Sequence, residues 1–587
     1  LPSPDPSDPF LLGVAAAHDK ELDRALALFD RALAAAPTHA LAHFNRACVL
    51  QDLGRREEAL AAYDRALELR ADYAEAHANR GTLLEALGRP LDALAAYDAA
   101  LALKLDFAAA HANRGNALRS LGRHDAALES YARALEWQPD NAVALVNSGN
   151  VLRQLGRFDA ALSRFERALE FRPGMAEAHA NRAAVLKALG RDDAALEAYE
   201  RAVALNPGLA AAWANRGMLL RDLGRLEEAL ASQERALALA PGHGEALINR
   251  GVVLTELHRL DSAVESFDQA LRVRPDAADA RFNRAIALLL AGRYEQGWLD
   301  YESRWRCASS RATPRDFSQP LWTGREALSG KSILIHAEQG FGDTLQFCRY
   351  IRLVAEQGAA VTFEVQGRLL RLLSSLHSGV RVIARGSPLP STDYHCPLLS
   401  LPLAFGTTLA DIPCAPRYVA PDQELLAQWR RLLGAAPRTR IGLAWSGSGG
   451  NPRDAHRNVP LGSLLAALPP GVDTESLQKE YRDADRDTLQ RHPALRDWSA
   501  AQSDFADAAA LCDSMDLILT VDTSIVHLAG ALGKPTWLLL PFHPDWRWLL
   551  GRTDSPWYPS LRVFRQTSPG DWAPVLSAVR SALGAVL

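Results

Sequence analysis

Three sets of residues carry polar chemistry at spacings that composition alone does not explain. In HAEQGFGDTLQF, Gly340, Gly342 and Asp343 fall between a short apolar run and an amphipathic stretch. Glycines there permit close backbone approach, and an acid stands where a helix begins. In LILTVDTSIVHLAGALGKP, Asp522, Thr523 and Ser524 close one apolar run and open the next, with His527 a turn further on. The free N–H groups of a helix start at such a corner would hold a diphosphate. Arg453 and Arg457, in the Gly-rich SGSGGNPRDAHRN, bring charge that neutralises phosphate or simply stays solvated. The third set is a column of asparagines, Asn45, Asn79, Asn113, Asn147, Asn181, Asn215, Asn249 and Asn283, at a constant interval of 34 residues. An amide offers one acceptor and two donors, so a column of them can bond the backbone of an extended peptide without reading its side chains. The same residue can equally serve packing within a repeat.

The elements that place the asparagines are legible from the same period. Two residues after each Asn stands a small residue (Ala47, Gly81, Gly115, Gly149, Ala183, Gly217, Gly251, Ala285), and later in most units an alanine is followed four residues on by an aromatic, as in Ala59 and Tyr63 or Ala161 and Phe165. Small, aromatic and small again is the pattern of two helices packed closely. With Pro139, Pro173, Pro207, Pro241 and Pro275 near the unit ends, it resembles the tetratricopeptide repeat (TPR), a helix-turn-helix stacked into a solenoid. The expected organisation is a flexible lead over 1–10, rich in Pro, Asp and Ser, then a solenoid over 11–311. The solenoid comprises a capping unit with Leu11 where the Asn belongs, followed by eight repeats. Turn glycines separate the two helices of nearly every unit, with His258 in their place in one. The last unit decays, with Gly297 and Arg304 at its packing positions and Trp298 and Trp305 nearby, and should dock onto something else. Arg follows seven of the asparagines, lining the solvated side or favouring acidic segments, and His43, His77, His111 and His179 share one repeat position. Residues a whole repeat apart cannot share a metal, so these histidines read as structural.

After a connector over 312–330 the period changes. KSILIHA, AAVTFEV, VRVIA, RIGLAW, LILTVD and TWLLLP are short apolar runs alternating with helical stretches such as TLQFCRYIRLVAEQG and RLLRLLSSL. Strands alternating with helices imply parallel sheets. The prolines Pro413, Pro416 and Pro421 divide this half into two Rossmann-like domains, 331–420 and 421–587. Ligands bind such sheets beyond the carboxyl ends of their strands, which is where both corners fall. A chain of 587 residues needs several such cores, and 48% apolar residues with a net charge of −4 describe an ordinary globular surface with no basic excess for nucleic acid. Six scattered cysteines lack metal-type spacing, and no apolar run is long enough for a membrane helix. The expectation is a cytoplasmic protein with reduced thiols; since the chain opens at Leu1 rather than Met, an upstream piece is not accounted for.

HAEQGFGDTLQF and VDTSIVHLAGALGKP resemble the two signatures of the heptosyltransferase-like glycosyltransferases, whose fold is the two-domain GT-B type. The resemblance implies an α-helical TPR solenoid followed by an α/β GT-B fold, with a nucleotide-sugar as co-substrate and no other cofactor; no Asp-x-Asp motif sits at a strand end, so a metal-independent mechanism is expected. It implies Asp343 as general base, taking the proton of a hydroxyl that attacks an anomeric carbon; the simpler reading is that Asp343 caps its helix. It implies a donor site at Asp522, Thr523, Ser524 and His527, to which the residues themselves add Gly342 of the first Gly loop and Arg457 of the SGSGGNPRDAHRN loop. Lys479 and Glu480, in SLQKE, match a position near the donor's phosphates and ribose. Against these stand blander readings: a surface Lys-Glu pair, and a core histidine for His527. Repeats joined to such domains also resemble protein O-linked N-acetylglucosamine transferases, in which an asparagine ladder binds the acceptor polypeptide, and bacterial flagellin glycosyltransferases with an N-terminal repeat domain. No stretch matches the catalytic domain of the former, so the sugar stays open. The implied function is transfer of a sugar from a nucleotide-sugar to a polypeptide held by the repeats, with no nucleic-acid partner. Two alternatives remain: a scaffold whose GT-B half is inactive, and a transferase acting on lipid or polysaccharide.

Overall fold

A computed structural model describes residues 8–308, 310, 312–435, 437–447 and 457–586. They form two compact units, divided between Pro241 and Gly242. The first unit holds seven helix pairs, from Pro9–His18 with Leu22–Ala35 through Ala210–Asp222 with Leu226–Leu239. The 34-residue period becomes structure through contacts inside each repeat. A Cβ on Gly81 or Gly115 would stand 2.6 Å from the ring of Tyr97 or Tyr131, so those two glycines let the aromatic of the second helix lie against the backbone of the first. The rings are fully buried. Between the two helices the turn residue takes a left-handed φ, +72° to +75° at glycines such as Gly122 and Gly54, which a side chain would strain.

The conserved-looking polar positions of the repeat also find partners. Nε2 of His43, His77, His111 and His179 lies 3.0 Å from the carbonyl oxygen six residues earlier, and Trp213 Nε1 donates in the same way to Pro207. A carbonyl only accepts, so each imidazole carries its proton on Nε2 and closes an otherwise open turn. Six of the seven arginines after the asparagines pair with a carboxylate sixteen residues back, on the second helix of the preceding repeat, among them Arg46 with Asp30 at 2.7 Å, Arg80 with Asp64 and Arg114 with Asp98 at 2.6 Å, and Arg216 with Glu200 at 3.1 Å. They bridge repeats rather than waiting for a partner.

The second unit opens with two more helix pairs, Gly244–Glu256 with Leu260–Val273 and Ala278–Leu290 with Tyr294–Tyr301. Two parallel sheets follow. The first contains β1 (Ser332–His336), β2 (Ala360–Val365), β3 (Val380–Ala384) and β4 (Tyr394–Pro397), in the order β3-β2-β1-β4. The second contains β5 (Arg440–Ala444), β6 (Asp473–Ser476), β7 (Leu495–Asp497), β8 (Leu517–Val521), β9 (Thr536–Leu540) and β10 (Leu561–Arg565), in the order β10-β9-β8-β5-β6-β7. All pairings are parallel. Both orders are doubly wound, reversing direction between β1 and β4 and between β5 and β8, where crevices open at the strands' carboxyl ends. Two helical stretches are shorter than their sequence suggests. TLQFCRYIRLVAEQG breaks at Cys348 into Phe341–Phe347 and Arg349–Glu356, and RLLRLLSSL gives a 3-10 turn and one turn of α-helix.

The decayed last repeat docks, as its tryptophans suggest. Trp298 packs edge-on against Trp546 at 5.3 Å and Phe347 at 6.4 Å, and its Nε1 donates to the Thr407 carbonyl at 3.0 Å. Trp557 Nε1 donates to the Tyr294 hydroxyl at 3.1 Å. Arg304, with no exposed side-chain surface, donates to both oxygens of Glu338 at 2.8 and 3.0 Å, to Glu302 at 2.7 Å and to Ser400 at 2.8 Å. A small residue would leave those acceptors buried and unpaired.

Candidate functional site

At the first corner, β1 ends at His336 and a helix begins at Phe341. Asp343 sits in its first turn, and its Oδ2 accepts from the Gly340 N–H at 2.8 Å. Asp343 therefore does cap its helix. Its Oδ1 is held by a residue that no sequence signature marked: Arg547, in the loop after β9, which donates to Asp343, to Gln346 Oε1 at 2.6 Å and to Asp545 at 2.8 Å. Its guanidinium lies 4.4 Å over the Trp546 ring. Burial pushes the Asp343 carboxyl above its ordinary pKa, and the charge of Arg547 with the Gly340 N–H opposes that rise. The one sequence hint to Arg547 is position: DWRW follows the strand TWLLLP, the neighbour of β8.

At the second corner, β8 ends at Val521 and Thr523 caps the helix Ser524–Ala531, its hydroxyl accepting from the Ile525 N–H at 3.3 Å. Arg457 donates to the Asp522 carbonyl at 2.7 Å, so this arginine belongs to the corner, whereas Arg453 lies outside the described residues. Burial and the neighbouring Asp545 carboxylate push the Asp522 carboxyl up to about 6, against the pull of Arg457. His527 is a buried imidazole. Its Nδ1 is 2.8 Å from the Tyr558 hydroxyl, its ring stacks on Trp548 at 5.5 Å, and burial drives its pKa down, so it is neutral.

The two corners meet. A Cβ on Gly342 would stand 2.7 Å from His527 Cδ2, so the glycine lets the two helices touch. Arg547, between Asp343 on one side and Asp545 beside Asp522 on the other, links the carboxylates of both sheets. The result is a cleft with two guanidinium groups, three carboxylates and a helix start. Lys479 is used differently: its ammonium donates to the carbonyls of Ser499 and Gln502 at 2.7 and 2.6 Å. Glu480 is exposed, and its carbonyl accepts from Gln478, which also bonds Ser446 just past β5. These contacts fix the turn beside the β5 crevice without bringing either charge to Asp522.

The asparagines are all half-buried on the first helix of their repeats. Three spend an amide donor on the preceding repeat: Asn79 on Cys48 Sγ at 3.7 Å, Asn113 on Thr82 Oγ1 at 3.3 Å and Asn147 on Asn116 Oδ1 at 2.9 Å. Asn79 also donates to the Tyr63 oxygen.

Comparison with known proteins agrees with the repeat geometry. Tetratricopeptide repeat models match residues 106–173, 140–207 and 208–276, and related repeat models match 47–88, 10–40 and 248–312. The first half of the chain is thus built of TPR repeats. Protein FlbA of Caulobacter vibrioides is 28% identical over 321 residues, an overlap of 50% of this chain and 53% of that protein. The chain therefore spans about half the length of this curated relative. Among solved structures, YrrB, described as a TPR protein with an unusual peptide-binding site, is 30% identical over 31% of this chain and 95% of its own, with a TM-score of 0.28. MamA is 25% identical over 28% of this chain and 96% of its own, with a TM-score of 0.26. Among the described residues no helix is long and apolar enough to cross a membrane.

Proposed function

We propose that the chain is a glycosyltransferase that moves a sugar from a nucleotide-sugar to a polypeptide acceptor, with the two parallel sheets forming a GT-B pair and the repeats holding the acceptor. The observation that carries this reading is Arg547, which ties Asp343 of one sheet to the Asp545 and Asp522 corner of the other. A transferase must bring a donor site and an acceptor base within reach across one cleft. In this reading the helix start at Thr523 and Ser524, with Arg457, takes the diphosphate. Asp343 accepts the proton of the attacking hydroxyl, and Arg547 keeps it ionised against burial, leaving a carboxylate more basic than one in water. A raised but charged carboxylate suits a general base near neutral pH. Lys479 and Glu480 shape the nucleotide end of the cleft through the turn they anchor.

One observation favours the inactive-scaffold reading: both oxygens of Asp343 already have partners. Asp343→Asn separates the two. It preserves the shape, and loss of a general base costs about a hundredfold to ten-thousandfold in rate. The measurement is sugar transfer from a panel of nucleotide-sugars to candidate proteins, followed by mass spectrometry, with donor binding by calorimetry in parallel and in EDTA. Transfer by the wild type and its loss in Asp343→Asn with donor affinity kept supports the transferase. Equal transfer rates would leave Asp343 a helix cap.

A further inference from the structure

We infer that the groove of the first unit takes an acidic extended segment, read by a ladder of basic residues beside the asparagines; this rests on the reading of the repeats as the acceptor-binding part. Arg119, Arg153, Lys187 and Arg221 recur at the same 34-residue interval, each six residues after an asparagine of the column. In the repeats on either side the position holds Gln51, Glu85, Thr255 and Leu289, so the basic run is confined to four consecutive units. On one helix Asn113, Asn116 and Arg119 are spaced three apart and share a face. Side chains join that face from repeat to repeat: Asn147 reaches Asn116 at 2.9 Å, and Lys187 reaches Asp222 of the next repeat at 2.7 Å.

Packing does not require these cations. Where the position is Gln51 or Glu85, its side chain accepts the hydroxyl of the partner helix, from Tyr63 at 3.1 Å and Tyr97 at 2.7 Å. Arg119 cannot accept; it donates to the Tyr131 oxygen, and the hydroxyl proton goes to Asn116 at 2.7 Å. The substitution reverses the repeat's usual bond and puts a positive charge on the groove, next to Glu85. Lys187 and Arg221 both pair with Asp222. On the helix before them, Asn150 Oδ1 and Arg153 Nε are buried without hydrogen-bond partners. Three residues apart, this acceptor and this donor match the N–H of a passing backbone and a carboxylate it carries. Neighbouring helices pack about 10 Å apart and an extended chain advances about 3.3 Å per residue, so a carboxylate roughly every third residue matches the ladder.

The test uses the full chain and fluorescein-labelled peptides of one length: Glu at every third position among Ser and Ala, the same peptide with Gln, and the same with Lys. Anisotropy should show the Glu peptide bound at least tenfold more tightly than the Gln peptide, with the difference shrinking as salt is raised. Replacing Arg119, Arg153, Lys187 and Arg221 together by Gln should bring the Glu peptide to the level of the Gln peptide, with circular dichroism unchanged. Replacing Asn113, Asn147, Asn181 and Asn215 by Ala should weaken both peptides alike. Equal binding of the Glu and Gln peptides to wild type, with the asparagine variant still weakening both, would overturn the acidic preference and leave the peptide groove standing. Absence of any peptide binding, or indifference to both variants, would overturn the groove itself.

Discussion

Asp522→Asn should stabilise the second unit at neutral pH while harming donor binding. Burial and the Asp545 carboxylate raise the Asp522 carboxyl from 3.8 to about 6, so the native state holds this proton more tightly than the unfolded chain does. The sign follows: stability from this group is full below the unfolded value and is lost as pH rises through the folded one. At about 1.4 kcal/mol per pH unit, a shift of about 2 units makes the ionised carboxylate a burden of roughly 3 kcal/mol at pH 7.5. Asparagine removes the charge and keeps the backbone carbonyl that accepts from Arg457. Denaturant unfolding at a series of pH values measures the effect, followed by tryptophan fluorescence. Of the 13 tryptophans only Trp137 and Trp213 lie in the first unit, so the signal reports the second. The variant should exceed wild type by up to about 3 kcal/mol at pH 7.5, with the gain fading between pH 6 and 4. A variant no more stable at pH 7.5, or a gain independent of pH, would refute the claim that this corner holds a charge at the expense of stability.

Arg547→Met removes the cation that keeps Asp343 ionised, so the acid limb of the pH-rate profile for transfer should move to higher pH; an unmoved limb would disconnect the pair from catalysis. Arg304→Met leaves Glu338 buried and uncompensated and should cost about 3–5 kcal/mol in denaturant unfolding, whereas Met at both positions should recover most of the loss. Gly115→Ala should cost about 1–3 kcal/mol, because Ala47 and Ala183 already stand at that position opposite Tyr63 and Tyr199, while Gly115→Leu should melt its repeat, as read by circular dichroism.

The repeats were legible because their determinants are local. Asn, small residue, turn glycine and aromatic all act within about thirty residues, and a copied unit repeats the evidence. The strands showed themselves as apolar runs for the same reason, and Gly342 and Asp522 were recognisable because each lies at a strand-to-helix corner. Arg547 was not, because its meaning lies in Asp343 and Gln346, about two hundred residues away in sequence and on another sheet. Arg349 is a similar case: buried without a carboxylate, it donates to the carbonyls of Trp557 and Pro413 and to the Tyr418 hydroxyl, pinning the first sheet's helix to the second. Such a residue reads in sequence as one more cation on an amphipathic helix. Lys479 misled in the opposite way, since a motif position says nothing of the two carbonyls that occupy its ammonium.

The departures from the repeat pattern mark where the repeats stop being a free array. His258 stands where other units have a turn glycine and takes a φ of +59°, a left-handed conformation that costs an L-residue roughly 1–2 kcal/mol. What offsets it is outside the repeat: the imidazole stacks on Phe542 at 4.6 Å, in the short segment that runs from β9 to Asp545 and Arg547. Arg304 likewise gives up packing within the last repeat and gains it against Glu338 and Ser400. Each substitution is unfavourable for a repeat standing alone and favourable once the sheets are present. The second compact unit begins inside the repeats, at Gly242, and carries Asn249 and Asn283 in the same body as Asp343 and Asp522. A peptide bound at those two asparagines would rest on the structure that positions the carboxylates, with the turn at His258 touching the segment that holds Arg547.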